Sequence, residues 1–420
     1  MKHQEYVNHT KTPPKFIMPS SSRLSYPSSP LLFQHLRYQY HGSDKSLLYR
    51  YALSPLAEKC VLFLPSWMAP NLVTTIGLSL TTASYLLLYL FVPGLVSGET
   101  TPWWVFPVAA LGLFVYQTLD NMDGKQARRT GSSSPLGLLF DHGCDAINCC
   151  FGIVFVSAII DAGASLPLLA AAALNQLVPF FFTTWEHYYT NELILPIVNG
   201  PSEGVILGAV CACLRGAFGP ELFASPREEL NGWPLGHFLM ACSLFGVVLT
   251  TAKQFVMVAR ARTAARRDML KPVQDCSWFV AILAVGGVWA FGRPELFADA
   301  PYTMVLLFGL LHVDMAVHVM VCHICNTSCR SFRPILMPFF LVVANSLAPR
   351  APLVDEKSLI WGFTALAFVY EALYLYLVVS ETSQALDIYV FKLGKRSDAA
   401  ADTSTDTDTN TNNGDRKKVA

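Results

Sequence analysis

The sequence predicts an all-α, polytopic membrane protein of about ten transmembrane helices, preceded by an interfacial amphipathic helix. Of its 420 residues, 53% are hydrophobic and only 14% are charged, and the mean hydropathy is +0.39. Soluble globular proteins carry about 25% charged residues. Basic and acidic residues balance at 30 each, so the charge gives no indication of nucleic-acid binding and we expect no such partner.

Long apolar runs along the chain predict the transmembrane helices. A single span takes about 20 residues, with tolerance for tilt and for burial inside the protein. The apolar runs are 72–94, 103–119, 137–159, 166–184, 203–219, 236–258, 277–292, 301–324, 334–348 and 358–380.

The segment 45–62 has a different pattern and predicts the interfacial helix. Apolar Leu47 and Tyr51 alternate there with Lys45 and Arg50, which is typical of a helix lying in the membrane surface. The predicted organisation is a polar, disordered N-terminal tail (1–37), an interfacial segment (38–71), a transmembrane domain (72–392) and a disordered C-terminal tail (393–420).

Basic loops predict the orientation of the spans. Lysine and arginine cluster at 125–129, 260–271, 330–333 and 392–396. With ten spans, all four clusters lie on one face, and the positive-inside rule makes that face cytosolic.

The most informative motif is a set of four aspartates between the second and third apolar runs. Asp120 and Asp123 are three residues apart, and Asp141 and Asp145 are four apart, so each pair shares a helix face. A short basic connection would bring the two pairs together. Repulsion among four carboxylates requires cations, so we predict Mg²⁺ or Mn²⁺, with two ions sharing a carboxylate, beside a phosphate-bearing substrate.

Neighbouring residues suit the same chemistry. Arg128 can donate a bidentate pair to a phosphate oxygen, and His142 can accept a proton near neutral pH. Gly124, Ala127 and Gly137 are small, which lets a ligand or a neighbouring helix approach the backbone closely.

The full motif, D-x-x-D-G-x-x-A-R-x8-G-x3-D-x3-D, resembles the signature of the CDP-alcohol phosphotransferase family at every position. The stretch 119–148 resembles the eukaryotic cholinephosphotransferase/ethanolaminephosphotransferase branch of that family in particular. Two further segments are similar to regions of the same branch. Segment 38–74 is similar to its entry segment, and segment 183–204 to its TWEEY…GPxEG region.

This resemblance implies an enzyme that transfers phosphocholine or phosphoethanolamine from CDP-choline or CDP-ethanolamine to diacylglycerol. The expected products are phosphatidylcholine or phosphatidylethanolamine and CMP. It also implies a ten-helix membrane enzyme that forms a homodimer. We expect it in the endoplasmic reticulum membrane, with the Golgi membrane as the alternative, and the positive-inside rule makes its active site face the cytosol.

The resemblance also assigns roles to individual residues. Asn71 and Arg128 correspond to residues that contact the CDP-alcohol, and His142 stands where the branch has its proton acceptor, with Asp145 as second choice. Metal binding falls to Asp120, Asp123, Asp141 and Asp145.

Several alternatives stay open. The chain could be a relative that uses inositol or ceramide, or a transporter whose carboxylates bind a cation without chemistry. The sequence does not distinguish choline from ethanolamine. Two acidic residues, Glu186 and Glu203, are of undecided role. Three aromatic residues near them could hold a quaternary ammonium or could form an interfacial belt: Trp185, Tyr188 and Tyr189. A loosely zinc-like tract is also of undecided role: Cys322, His323, Cys325 and Cys329.

Overall fold

The structure, a computed structural model, describes residues 42–98, 100–330, 332–348 and 352–397. The predicted N-terminal tail (1–37) lies outside the described residues, as does the predicted C-terminal tail beyond residue 397.

The described chain is almost entirely helical, with two three-residue strands that pair in parallel. The helices are α1 (Ser54–Cys60), α2 (Pro70–Phe91), α3 (Val105–Thr130), α4 (Pro135–Ile159), α5 (Leu166–Thr190), α6 (Val205–Phe218), α7 (Glu221–Ala224), α8 (Leu235–Ala264), α9 (Leu270–Gly292), α10 (Pro294–Asp299), α11 (Pro301–Ile324), α12 (Leu336–Ser346) and α13 (Glu356–Ala385). The strands are β1 (Gly42–Asp44) and β2 (Leu193–Leu195). Single π-helical turns at Tyr49–Leu53 and Gly200–Gly204 precede α1 and α6.

Each of the ten predicted apolar runs coincides with a helix, which confirms the all-α polytopic fold. Among the described residues, eight helices are long and apolar enough to cross a membrane. The remaining two runs are α3, whose C-terminal half carries the charged motif, and α12. Helix α12 has only 11 residues, about 16 Å, and is therefore shorter than the predicted run 334–348.

The predicted interfacial helix is present as a series of helical turns centred on α1. One face, including Ala57 and Val61, is buried in a small cluster with Met122 of α3. The other face exposes Tyr51 and Phe63, at 70% and 87% of their surface. Since large exposed aromatic side chains suit the boundary between lipid and water, the amphipathic prediction agrees with this geometry.

Helix α11 forms the centre of the bundle. Of its most apolar 18-residue stretch, 78% is buried inside the protein, against 11% for α8. Helix α11 therefore supports the fold, whereas α8 presents its surface to lipid.

Helix α11 carries the acidic member of a buried ion pair, Asp314. Asp314 is fully buried and accepts hydrogen bonds from Nε and Nη2 of Arg333 at 2.7–3.0 Å. The guanidinium carbon of Arg333 also lies 4.8 Å from the centre of the Tyr374 ring on α13. This pair fixes the loop between α11 and α12 to the middle of the bundle.

Replacing Arg333 by methionine (Arg333→Met) should lower the free energy of unfolding by about 3–5 kcal/mol, because it leaves the Asp314 carboxylate buried without its cation. The matched control is Lys357→Met, which breaks the exposed pair between Lys357 and Asp299 and should cost about 1 kcal/mol or less. Denaturant unfolding in detergent micelles measures both. Equal losses in the two variants would contradict the structural role of the buried pair.

Candidate metal and catalytic site

A short connection sets the relative position of α3 and α4. Helix α3 ends at Gly131, whose φ of +67° is left-handed and therefore suits glycine. Helix α4 begins with Pro135 in its first turn, and the Ser134 hydroxyl accepts a hydrogen bond from the Gly137 N–H at 3.1 Å. These local signals turn the chain back within residues 131–134, so the two aspartate pairs face each other.

The structure brings all four predicted aspartates together. Ligand atoms of Asp120, Asp123 and Asp141 lie within 4.8 Å of one another, and so do those of Asp141, His142 and Asp145. Asp141 therefore belongs to both groups. His142 Nδ1 lies 3.4 Å from Asp141 Oδ2.

The donor set fits divalent cations. The Oδ1 atom of Asp141 is buried and has no hydrogen-bond partner among the described residues, and in that part of the chain no lysine or arginine forms an ion pair with any of the four aspartates. Four unpaired carboxylates in a partly buried site repel one another. Hard divalent cations, which prefer oxygen ligands, would remove that repulsion.

Two hydroxyl groups that the sequence analysis missed hold these carboxylates. Tyr116 donates to Asp145 Oδ1 at 2.5 Å and lies 3.4 Å from Asp120 Oδ1. Thr74 donates to Asp123 Oδ2 at 2.6 Å. The only signal in the sequence was spacing, since Tyr116 precedes Asp120 by one helical turn.

Close packing of α2 on α3 places Tyr116. A Cβ atom on Gly77 would lie 3.0 Å from Cδ2 of Tyr116, and one on Gly112 would lie 2.1 Å from the Ser84 hydroxyl oxygen. Glycine at these positions therefore favours the close approach of the two helices, because a larger residue would require Tyr116 or Ser84 to shift.

Replacing Thr74 by valine (Thr74→Val) should raise the metal concentration needed for half-maximal activity by about 10–100-fold, because a carboxylate loses the hydrogen bond that orients it. The control on the same helix is Thr82→Val, whose hydroxyl donates only to the Leu78 carbonyl. Metal titrations of the two variants measure the effect, and indistinguishable metal requirements would contradict it.

The motif glycines Gly124 and Gly137 are not needed for helix packing. A Cβ atom would meet its nearest neighbour at 3.6 Å on Gly124 and 3.7 Å on Gly137, which are ordinary contact distances. Of the two interpretations of these small residues, the geometry favours space for a ligand over close approach of a helix.

Most of the polar side chains at the end of α3 serve the interfacial segment. Lys125 donates to Ser54 and Glu58 at 2.9 and 3.3 Å. The hydrogen bond from Lys125 to Glu58 lowers the pKa of the Glu58 carboxyl. Arg129 donates to the main chain of the same segment, at 2.8 and 2.9 Å. The Arg128 side chain, in contrast, is exposed and its guanidinium forms no hydrogen bond with another described residue, so it is available to a ligand.

Asn71 lies at the start of α2 and is 7% exposed. Its side-chain N–H donates to the carbonyl oxygen of Val390 at 3.0 Å. Its Oδ1 would be 3.8 Å from a Cβ atom on Gly137, so Asn71 borders the space beside the first turn of α4.

The aromatic residues near the end of α5 act in packing. Trp185 is fully buried, and its indole N–H donates to the Pro272 carbonyl at 3.0 Å. Tyr188 donates to the Thr327 carbonyl at 2.9 Å, and Tyr189 to Asp275 at 2.5 Å. Because Trp185 has no exposed face, the structure argues against a quaternary-ammonium cage built on it.

Two acidic residues near the C-terminal end of α5, Glu186 and Glu203, also interact with other residues of the protein. Glu203 accepts hydrogen bonds from the Ser46 hydroxyl at 2.5 Å and from the Asn199 N–H at 3.0 Å, which anchors the segment after β1. Glu186 has Lys253 of α8 as a charged neighbour.

In the structure, the residues that lie together are not the full set of the zinc-like tract. Cys322 and Cys329 meet His318 rather than His323 or Cys325. However, the Arg330 N–H donates to Nε2 of His318 at 3.3 Å, and Nη1 of Arg333 lies 3.1 Å from its Nδ1. Since N–H donors face both ring nitrogens, this arrangement does not suit a cation.

Comparisons with known proteins agree with the geometry. Residues 67–192 match the family described as CDP-alcohol phosphatidyltransferase. The chain is 35% identical to choline/ethanolaminephosphotransferase 1 of Arabidopsis thaliana over 387 residues, which cover 86% of this chain and 96% of the relative. It is 27% identical to choline/ethanolaminephosphotransferase 1 of Saccharomyces cerevisiae (86% and 95% covered) and 28% identical to ethanolaminephosphotransferase 1 of Mus musculus (86% and 92% covered).

Proposed function

The chain belongs to the CDP-alcohol phosphatidyltransferase family, and from that premise we propose that it makes phosphatidylcholine, phosphatidylethanolamine or both. It transfers the phosphoalcohol of CDP-choline or CDP-ethanolamine to diacylglycerol and releases CMP. The names and coverage of the relatives support this reaction. The observation that carries it in the structure is the pair of acidic groups sharing Asp141.

In this proposal, Asp120, Asp123, Asp141 and Asp145 hold two ions, Mg²⁺ or Mn²⁺. Bound ions would neutralise the diphosphate and stabilise the charge that develops on the leaving CMP. The Tyr116 and Thr74 hydroxyls orient the carboxylates, which limits the reorganisation needed when substrate binds.

The reaction itself is one displacement at phosphorus. The acceptor hydroxyl oxygen forms a bond to the phosphorus that bears the small alcohol, and the bond from that phosphorus to the bridging oxygen of CMP breaks. His142 accepts the hydroxyl proton, while Asn71 and Arg128 bind the donor. The contact between His142 Nδ1 and Asp141 Oδ2 (3.4 Å) supports this role, because a carboxylate stabilises a protonated imidazole.

The setting of the reaction follows from the same inference. We place the enzyme in the endoplasmic reticulum membrane, with the Golgi membrane as the alternative, as a homodimer whose site faces the cytosol. The basic loops support this orientation, and the eight apolar helices support a multi-pass membrane protein.

A panel of substrates tests the proposal. Purified protein in lipid nanodiscs would receive CDP-choline or CDP-ethanolamine with either diacylglycerol or ceramide, and, separately, CDP-diacylglycerol with inositol. Mass spectrometry should find phosphatidylcholine or phosphatidylethanolamine from diacylglycerol. Product formed only from ceramide or only from inositol would overturn the assignment within the family.

A further inference from the structure

The segment that follows α13 returns to the proposed donor site. The Val390 carbonyl accepts the hydrogen bond from Asn71. The ring of Phe391 packs edge-on against Phe140, with centroids 5.8 Å apart and planes at 87°. Phe140 immediately precedes Asp141 in α4. Residues 386–397, the C-terminal segment, therefore touch both α2 and α4 beside the acidic groups.

Internal hydrogen bonds give this segment a defined shape. The Ser383 hydroxyl donates to the Ile388 carbonyl at 2.6 Å, and the Arg396 N–H donates to the Asp387 carbonyl at 3.0 Å. Ile388 and Lys395 form an antiparallel bridge. The chain reverses between them through Gly394, whose φ is +103°. The Val390 carbonyl is thus held in place by the segment's own structure.

This carbonyl determines what Asn71 can offer a ligand. A primary amide has two N–H donors and one acceptor oxygen. With one N–H directed at Val390, the plane of the amide is fixed. The second N–H and Oδ1 remain, and Oδ1 would lie 3.8 Å from a Cβ atom on Gly137, beside the first turn of α4.

We propose that the C-terminal segment is a positioning element of the donor site: it holds the Asn71 amide in the orientation that binds the nucleoside diphosphate. This inference rests on the proposed function and makes the C-terminal segment part of the lining of the same site. Lys392 and Lys395 in the segment are exposed, so they add positive charge where an anionic donor arrives. The proposal concerns residues 386–397 and does not extend to the 23 residues that follow Ser397.

Two truncations of the full membrane protein test it. A chain ending at Ala385, the last residue of α13, lacks the segment, whereas a control chain ending at Ser397 keeps it. The shorter chain should have a KM for the CDP-alcohol about tenfold higher, the effect of losing one well-placed hydrogen bond and its supporting contacts. Its KM for diacylglycerol should be unchanged, and the control should match the full chain in both values.

A point substitution repeats the test if the shorter chain does not fold. Phe391→Ala should raise the KM for the CDP-alcohol by about three- to tenfold, the range expected for one aromatic pair. The control is Phe368→Ala on α13. Phe391 and Phe368 are 49% and 57% exposed, but Phe368 lies outside the site, so its substitution should leave that KM unchanged.

An unchanged or lower KM for the CDP-alcohol in both the shorter chain and Phe391→Ala would overturn the inference. Binding of CDP to the same proteins separates this failure from that of the proposed function. Full-length protein that releases no CMP would contradict the proposed function, whereas CDP affinity that is equal with and without the segment would contradict only the positioning role.

Discussion

Replacing Asp141 by asparagine (Asp141→Asn) should reduce the rate of CMP release by at least about 1,000-fold, because Asp141 belongs to both acidic groups and a bound metal contributes several kcal/mol to the transition state. The substitution keeps the shape of the side chain and removes its charge. Both proposed metal positions lose a ligand at once, which explains why the expected loss exceeds that for any other single aspartate.

The matched control is Asp268→Asn, the same change at a carboxylate whose side chain is 77% exposed. It should retain full activity. Activity measured across a range of Mg²⁺ and Mn²⁺ concentrations would show whether Asp141→Asn can be rescued by more metal. If Asp141→Asn kept a rate near that of Asp268→Asn at every metal concentration, the shared-carboxylate site would be wrong.

Replacing His142 by alanine (His142→Ala) should lower kcat by about 10²–10⁴-fold, the usual contribution of a general base. Donor binding should change little, because Asn71 and Arg128 remain. The measurement is steady-state kinetics beside direct binding of the CDP-alcohol. His237→Ala, at an exposed histidine of α8, is the control and should have normal kcat.

Two outcomes would reassign His142. A ring nitrogen of His142 and carboxylate oxygens of Asp141 and Asp145 lie within 4.8 Å of one another. His142 could therefore bind a metal together with them instead of accepting a proton. A variant that recovers normal kcat at high metal concentration would identify a metal ligand. A variant with normal kcat and a normal metal requirement would transfer the role of base to Asp145.

Hydropathy predicted the positions of the helices well because the energetic requirement is simple: apolar length has to match the bilayer. The four aspartates were equally clear, since charge is costly in an apolar setting and helical spacing places each pair on one face. The short helix α12 was not predictable, because an apolar run does not specify how many of its residues are helical.

The remaining parts of the site depend on tertiary contacts. Tyr116 and Thr74 look like ordinary residues of apolar helices, and their roles become visible only when Gly77 lets α2 and α3 approach. Asn71 and Val390 are 319 residues apart, so no local pattern connects them. Trp185 is a further example, because the sequence left its role open and the structure shows that its side chain fills the core.

The central claim is that the four clustered aspartates hold metal for transfer from a CDP-alcohol to diacylglycerol. The most direct test is CMP release by the purified full-length protein with CDP-choline or CDP-ethanolamine and diacylglycerol, with and without a chelator. We predict CMP and phospholipid in equal amounts, abolished by EDTA and restored by excess Mg²⁺ or Mn²⁺. Absence of metal-dependent CMP release with both donors would contradict the claim.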